Sequence, residues 1–125
     1  MPDSICHINI PSRSLAESQD FYGSLFGWSF VPNTESYLLF NDGEQGLGGG
    51  FTTGREPSPR SGPVIFVKVE DLEARLAMVT QLGGKVLTER LHIGAEDTGF
   101  GWWASFEDPH GNHIGLFSTN QRKGN

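Results

Sequence analysis

One cysteine, Cys6, in a chain of 125 residues leaves no partner for an internal disulfide and too few thiolates for a four-cysteine zinc site. Basic residues are also scarce: nine Lys and Arg stand against fifteen Asp and Glu, with none of the clustering that phosphate neutralisation needs. No nucleic-acid partner is expected. The acidic excess divides as seven acidic and three basic residues through Gly62, then eight and six, so neither half is a charged arm. No apolar run approaches the ~18 residues of a membrane helix, and Met1-Pro2-Asp3-Ser4 lacks the basic region and ~7–15-residue apolar run of a signal peptide. The expectation is a cytoplasmic protein that does not engage a membrane.

What is present is enough apolar material for one core. Leu, Ile, Val and Phe make up 32 of the 125 residues, above the ~20% below which chains tend to stay disordered. The length fits one domain. Glycine is the excess: 17 residues is close to twice the usual ~7%. Tight turns and close backbone approaches fit that number better than a bundle of long helices.

Shifting the chain by 57 residues aligns Ile8 with Ile65, Ile10 with Val67, Leu15 with Leu72, Leu25 with Leu82 and Gly27 with Gly84. The order of elements repeats with them: an alternating strand, a capped amphipathic helix, a glycine stop and further strands. In the first copy Cys6, Ile8 and Ile10 share one strand face, and Ile5, His7 and Asn9 share the other. Ser14 and Glu17 form a capping-box pattern for a helix reaching Phe26, with Leu15, Tyr22, Leu25 and Phe26 on its apolar stripe and Gly27 as its stop. Strands are predicted over 28–31, 37–40 and 47–52, separated by turns at Pro32-Asn33 and Asn41-Asp42-Gly43. In the second copy Ile65, Val67 and Val69 face the core while Val64, Phe66 and Lys68 face away. Asp71 caps a helix carrying Leu72, Leu76, Val79 and Leu82, and Gly83-Gly84 ends it. Strands follow over 85–87, 102–107 and 112–118, the last two joined by an Asp108-Pro109-His110-Gly111 turn.

The expected architecture is therefore α+β: two βαβββ modules forming a curved eight-stranded mixed sheet within one domain. Module one spans 4–52, a linker 53–63, module two 64–118 and a frayed tail 119–125. One face of the sheet is covered by helices. The other is left to form a cup, where a small molecule is the expected ligand.

Four stretches stand out: Ile5-Cys6-His7-Ile8-Asn9-Ile10-Pro11, Asp20-Phe21-Tyr22-Gly23-Ser24-Leu25-Phe26-Gly27-Trp28, Val67-Lys68-Val69-Glu70-Asp71-Leu72 and Phe106-Glu107-Asp108-Pro109-His110-Gly111-Asn112. In their order and spacing they resemble the glyoxalase, bleomycin-resistance and extradiol-dioxygenase group, the vicinal oxygen chelate superfamily. The chain looks most like a small single-domain branch related to lactoylglutathione lyase. The resemblance implies paired βαβββ modules and, in metal-dependent relatives, four ligands projecting into the cup. Carried over, those positions fall at His7, at Val64, near Gly50 and at Gly115. One imidazole, a valine and two glycines do not make a divalent-metal site, which generally takes three or more N, O or S donors. No cofactor is therefore expected. The alternative is a divalent metal held by His7, His113 and a group from the Leu91–Phe100 loop, His92 or Glu96, approaching the two-histidine, one-carboxylate set of non-haem iron.

The candidate ligand-binding residues are His7, Asn9, Phe51, Val64, Phe66, Lys68, Trp103 and His113. His7 is also the candidate catalytic base. Trp102 and Trp103 are adjacent on a strand and must point to opposite faces, one of them into the cup. His110 reads as a turn residue and Cys6 as an inert core thiol. The glycines of Gly46–Gly50 lack the lysine of a phosphate loop and read as a strand thinned for the approach of a ligand or a partner backbone. Two functions follow. One is metal-free binding of a small organic molecule; the other is a lyase, isomerase or dioxygenase using His7 with non-standard ligands or as a base. The family resemblance further implies a homodimer; a third reading is that one chain supplies half a site and a partner chain the missing groups.

Overall fold

The computed structural model describes residues 7–43, 47–54, 56, 64–93 and 101–122. Cys6, Glu96, Gly46 and most of the expected linker lie outside them. The chain divides into two compact units, 1–57 and 58–125, each a βαβββ module. Unit one holds β1 (His7–Pro11), α1 (Leu15–Phe26), β2 (Ser29–Thr34), β3 (Tyr37–Asn41) and β4 (Gly48–Thr52). Unit two holds β5 (Ile65–Lys68), α2 (Leu72–Gln81), β6 (Lys85–His92), β7 (Trp102–Glu107) and β8 (His113–Ser118). The strands pair as two four-stranded mixed sheets, ordered β1-β4-β3-β2 and β5-β8-β7-β6. In each, the first strand runs parallel to the last and the other pairings are antiparallel.

The two helices begin 57 residues apart, as the repeat requires. Ser14 Oγ accepts the Glu17 amide and Asp71 Oδ1 accepts the Ala74 amide, each satisfying a free donor of the first turn. Their ends differ by one residue. Gly27 takes the left-handed conformation at φ 74° after α1. After α2 it is Gly83, at φ 94°, and the Gly84 amide reaches back to the Val79 carbonyl at 2.8 Å, the longer bond of a Schellman stop.

Behind the first sheet, Phe21, Tyr22 and Leu25 of α1 are buried with Ser18, whose hydroxyl meets that of Ser12 at 2.7 Å. An aromatic stack fills the space: Trp28 lies parallel to Tyr22 and Phe40, with centroids 5.2 and 4.7 Å away, and Phe51 packs on Tyr22 at 4.9 Å. Behind the second sheet, Leu72, Leu76 and Val79 cover Ala104, Phe106, Ile114 and Leu116, all of them buried.

Three expectations about elements are corrected. Pro32-Asn33 is not a turn: β2 runs through it, a bulge falls between Pro32 and Thr34, and the chain reverses at Glu35-Ser36. β2 is an edge strand, where a missing amide donor is tolerated. β6 extends beyond residue 87 to His92, with two register shifts that break the alternation by which a strand is recognised. The chain does not fray at Thr119, because Asn120 donates to the Glu70 carbonyl and its own carbonyl accepts from Arg90, both at 3.0 Å. No helix among the described residues is long and apolar enough to cross a membrane.

Candidate functional site

Strand register decides which side chains share the face opposite each helix. In unit one the cross-strand row Asn9, Gly50, Leu39 and Val31 lies on that face, flanked by His7, Gly48 and Asn41 on one side and Pro11, Thr52 and Tyr37 on the other. His7 and Asn9 are exposed there, as their alternation predicts. Between them stands a residue that sequence reasoning misses. Tyr37 donates its hydroxyl proton to Asn9 Oδ1 at 2.7 Å, and the same oxygen lies 2.6 Å from His7 Nε2. A phenol has one proton. Tyr37 therefore accepts from His7, which fixes the neutral imidazole as its Nε2–H tautomer and leaves the Nδ1 lone pair unused in this chain of bonds. Tyr37 sits 28 residues from Asn9 and carries no local motif, so only the pairing of β3 with β4 and β4 with β1 could have found it.

The Tyr37 ring also occupies the place of a side chain at position 50. A Cβ built on Gly50 would overlap the ring's Cζ, Cε1 and hydroxyl oxygen, and one on Gly49 would overlap the Phe40 ring and the Ile8 carbonyl. The thinned strand is thus filled by the protein's own rings and by its neighbouring backbone, correcting the expectation that a ligand or a partner approaches it. Phe51 is corrected as well. It follows Gly50 by one residue, points to the helix side and is fully buried against Tyr22 and Phe40, so it has no surface for a ligand.

Unit two repeats this arrangement with different chemistry. Phe66 pairs with Gly115 and Gly115 with Ser105; in the next row Lys68 pairs with Phe117, Phe117 with Trp103 and Trp103 with Leu91. A Cβ at Gly115 would lie 2.5 Å from two ring carbons of Phe66. Phe66 and Trp103 meet edge to face at 6.3 Å, and with Ile93 and Phe117 they line a pocket of about 380 Å³. Phe66 remains 52% exposed and Leu91 50%, so the apolar surface is open on this face. Val64 precedes β5 and is half-buried, while Lys68 is exposed at its end. His113 shares this face through its pairing with Glu107.

Trp102 points the other way. Its ring carries the Arg90 guanidinium at 5.1 Å, and Arg90 forms a two-point bridge to Glu73 on α2 at 2.8 and 2.9 Å. Those two donated bonds hold the Glu73 carboxyl below its ordinary range. His92 packs on the same ring at 5.7 Å, which places it on the helix side and corrects the expectation that it folds over the cup. His110 is buried in the β7–β8 turn, where Asp108 Oδ1 accepts its amide and that of Asn112, each at 2.9 Å.

A model of the glyoxalase/bleomycin resistance protein/dioxygenase superfamily matches residues 4–116. The chain belongs to that superfamily. One relative, a glyoxylase-like domain-containing protein of Didymella fabae, is 29% identical over 115 residues, covering 86% of this chain and 88% of that one. Among solved structures, a glyoxalase/bleomycin resistance protein/dioxygenase family enzyme from Burkholderia phytofirmans is similar with a TM-score of 0.73 at 12% identity, over 90% and 96% of the two chains. The E126Q mutant of the fosfomycin resistance protein FosX from Listeria monocytogenes, complexed with Mn(II) and 1S,2S-dihydroxypropylphosphonic acid, is similar with a TM-score of 0.75 at 18% identity, over 94% and 90%. Both likenesses are of fold.

The superfamily's metal positions do not fit an ion in this chain. Val64, Gly50 and Gly115 offer no side-chain donor atoms, aromatic rings fill the space above both glycines, and His7 is the one residue of the four whose side chain could ligate. Among the described residues no three His, Cys, Asp or Glu side chains are grouped to hold a metal.

Proposed function

We propose that this superfamily member binds a small, largely apolar organic molecule on the helix-free face of its second sheet, without a metal at the superfamily's ligand positions. The observation that carries the reading is the pocket of about 380 Å³ walled by Phe66, Ile93, Trp103 and Phe117. Concave apolar sites with a few polar groups at the margin are the usual form of small-molecule sites, and this volume lies in their range. Aromatic walls favour a planar ligand through offset and edge-to-face contacts. The unsuitable donor set at His7, Val64, Gly50 and Gly115 supports a metal-free site.

Calorimetric titration with 2-ethylnaphthalene tests the pocket, and metal analysis after equilibration with Mn(II) and Zn(II) tests the rest. Saturable one-to-one binding that is weakened about tenfold or more in Trp103→Ala, with metal well below one ion per chain, is the expected result. A stoichiometric ion held through His7 overturns the metal-free reading; no saturable binding overturns the pocket.

The same reading takes the protein as a cytoplasmic homodimer. Val31, 62% exposed on the helix-free side of β2, presents an apolar side chain that contact with a second copy would cover. Sedimentation equilibrium distinguishes a dimer from a monomer, and Val31→Lys is expected to shift the distribution toward monomer.

A further inference from the structure

Four buried side-chain polar atoms among the described residues have no hydrogen-bond partner, and three of them belong to one face of the second sheet: Ser105 Oγ and both ring nitrogens of His113. Ser105 is 1% exposed. Buried hydroxyl and imidazole groups almost always find partners, and leaving one unpaired is costly. Register places the two residues diagonally: Ser105 opposes Gly115, and His113 is two residues before Gly115 on β8. Ser105 also stands two residues from Trp103 on β7, in the row next to the one that supplies the Trp103 and Phe117 walls of the pocket. The orphaned atoms therefore lie on the pocket's side of the sheet, not on the side packed by α2.

What lies over the intervening glycine is a side chain able to move. The Phe66 ring rests on Gly115, closer than any Cβ there would allow, yet half of Phe66 is exposed. Exposed side chains change rotamer on a picosecond-to-nanosecond timescale. Turning this one outward uncovers the backbone of Gly115, with Trp103 beside it, Ser105 opposite it in register and His113 two residues before it on the same strand face.

We infer that this uncovered surface is a ligand subsite: the planar apolar body of the bound molecule displaces the Phe66 ring from Gly115, and one hydrogen-bonding substituent of that molecule partners Ser105 and one ring nitrogen of His113. A hydroxyl suits the pair, since the serine and a neutral imidazole each offer a donor and an acceptor. The inference rests on the pocket proposed above and narrows its ligand to molecules combining a flat apolar body with one such group. It assigns Ser105 a binding role and gives Phe66 two states, closed over glycine and swung aside.

The test compares 2-naphthalenemethanol with 2-ethylnaphthalene, which replaces the hydroxyl by a methyl group. Ser105→Ala is expected to weaken binding of the alcohol about fivefold, in line with the loss of one hydrogen bond, and to leave the hydrocarbon's affinity unchanged. Serine to alanine removes one buried, unpaired atom, so folding should survive. A second readout needs no variant: the ¹⁵N resonances of His113 should shift on saturation with the alcohol and stay in place with the hydrocarbon. If both probes bind but Ser105→Ala leaves the alcohol's affinity unchanged and the His113 resonances do not respond, the subsite is overturned while the pocket stands. If neither probe binds, the pocket and the subsite fall together.

Discussion

The ring of Tyr37 lies on the backbone of Gly50 in the space that any side chain at that position would need. Two consequences follow from one contact: the strand must stay glycine there, and the hydroxyl is delivered to His7 and Asn9. Gly50→Ala should accordingly destabilise the fold by about 1–3 kcal/mol, the usual cost of overpacking. Tyr37→Ala in the same chain should recover part of that loss, giving a coupling of about 0.5–3 kcal/mol in a double-mutant cycle. Gly49→Ala is the contrasting case. Its Cβ meets the Ile8 carbonyl as well as the Phe40 ring, so Phe40→Ala should not rescue it. Urea denaturation of the two cycles separates these outcomes.

Tyr37→Phe keeps the ring and removes the hydroxyl. Both of its hydrogen bonds go, at a cost of about 1 kcal/mol, and His7 loses the acceptor that selects its tautomer. In the native protein at neutral imidazole, ¹⁵N spectroscopy should show the Nε2–H form dominating at His7. In the variant the two nitrogens should move toward the averaged shifts of a free imidazole. A native spectrum already averaged would show that the relay from His7 through Tyr37 to Asn9 does not hold in solution.

The adjacent tryptophans make a paired prediction. Trp103 walls the pocket, whereas Trp102 carries Arg90 on the helix side. Trp103→Ala should weaken binding of an apolar aromatic probe by about tenfold or more, as expected when a large apolar contact is removed, with a modest effect on stability. Trp102→Ala should reverse the pattern, costing about 1–3 kcal/mol of stability through lost packing and a lost cation–π contact while leaving the probe's affinity near its original value. Thermal melts and titrations on the same two proteins check both halves.

Much of the fold is legible in the chain itself, and the reasons are local. The 57-residue repeat is carried by capped helices and alternating strands, so Ser14 and Asp71 announce α1 and α2 from their side-chain chemistry alone. The opposition of Trp102 and Trp103 follows from strand alternation. What escapes a reading of the chain depends on contacts between distant strands. Tyr37 reaches His7 only because β1 and β3 both flank β4, and the glycines of β4 look like room for a ligand until the rings of Tyr37 and Phe40 are placed on them. Phe51 looks like a ligand contact, but its neighbour Gly50 holds the position facing away from the helix, which turns the phenylalanine inward. The bulges in β6 erase the period that would have revealed its second half.

The bridge between Arg90 and Glu73 gives the fold a defined response to acid. Two guanidinium hydrogen bonds favour the ionised carboxylate, which lowers the Glu73 pKa from its ordinary value of 4.5. A group whose folded-state pKa is depressed binds its proton more readily when the chain unfolds. Its contribution is therefore complete above about pH 4.5 and is lost as the pH falls through the lower folded-state value. Glu73 is 29% exposed on its side chain, so solvent screening keeps the contribution small, below about 1 kcal/mol at neutral pH. Glu73→Gln should lower the melting temperature at pH 7, and the gap to the native protein should close as the pH drops below 4.5. Because Arg90 also lies on Trp102 and donates to the Asn120 carbonyl, Arg90→Met should cost more than Glu73→Gln at pH 7 and keep a residual deficit in acid. A Glu73→Gln gap that stayed constant from pH 7 to pH 3 would mean that the bridge does not favour the charged carboxylate in the folded protein.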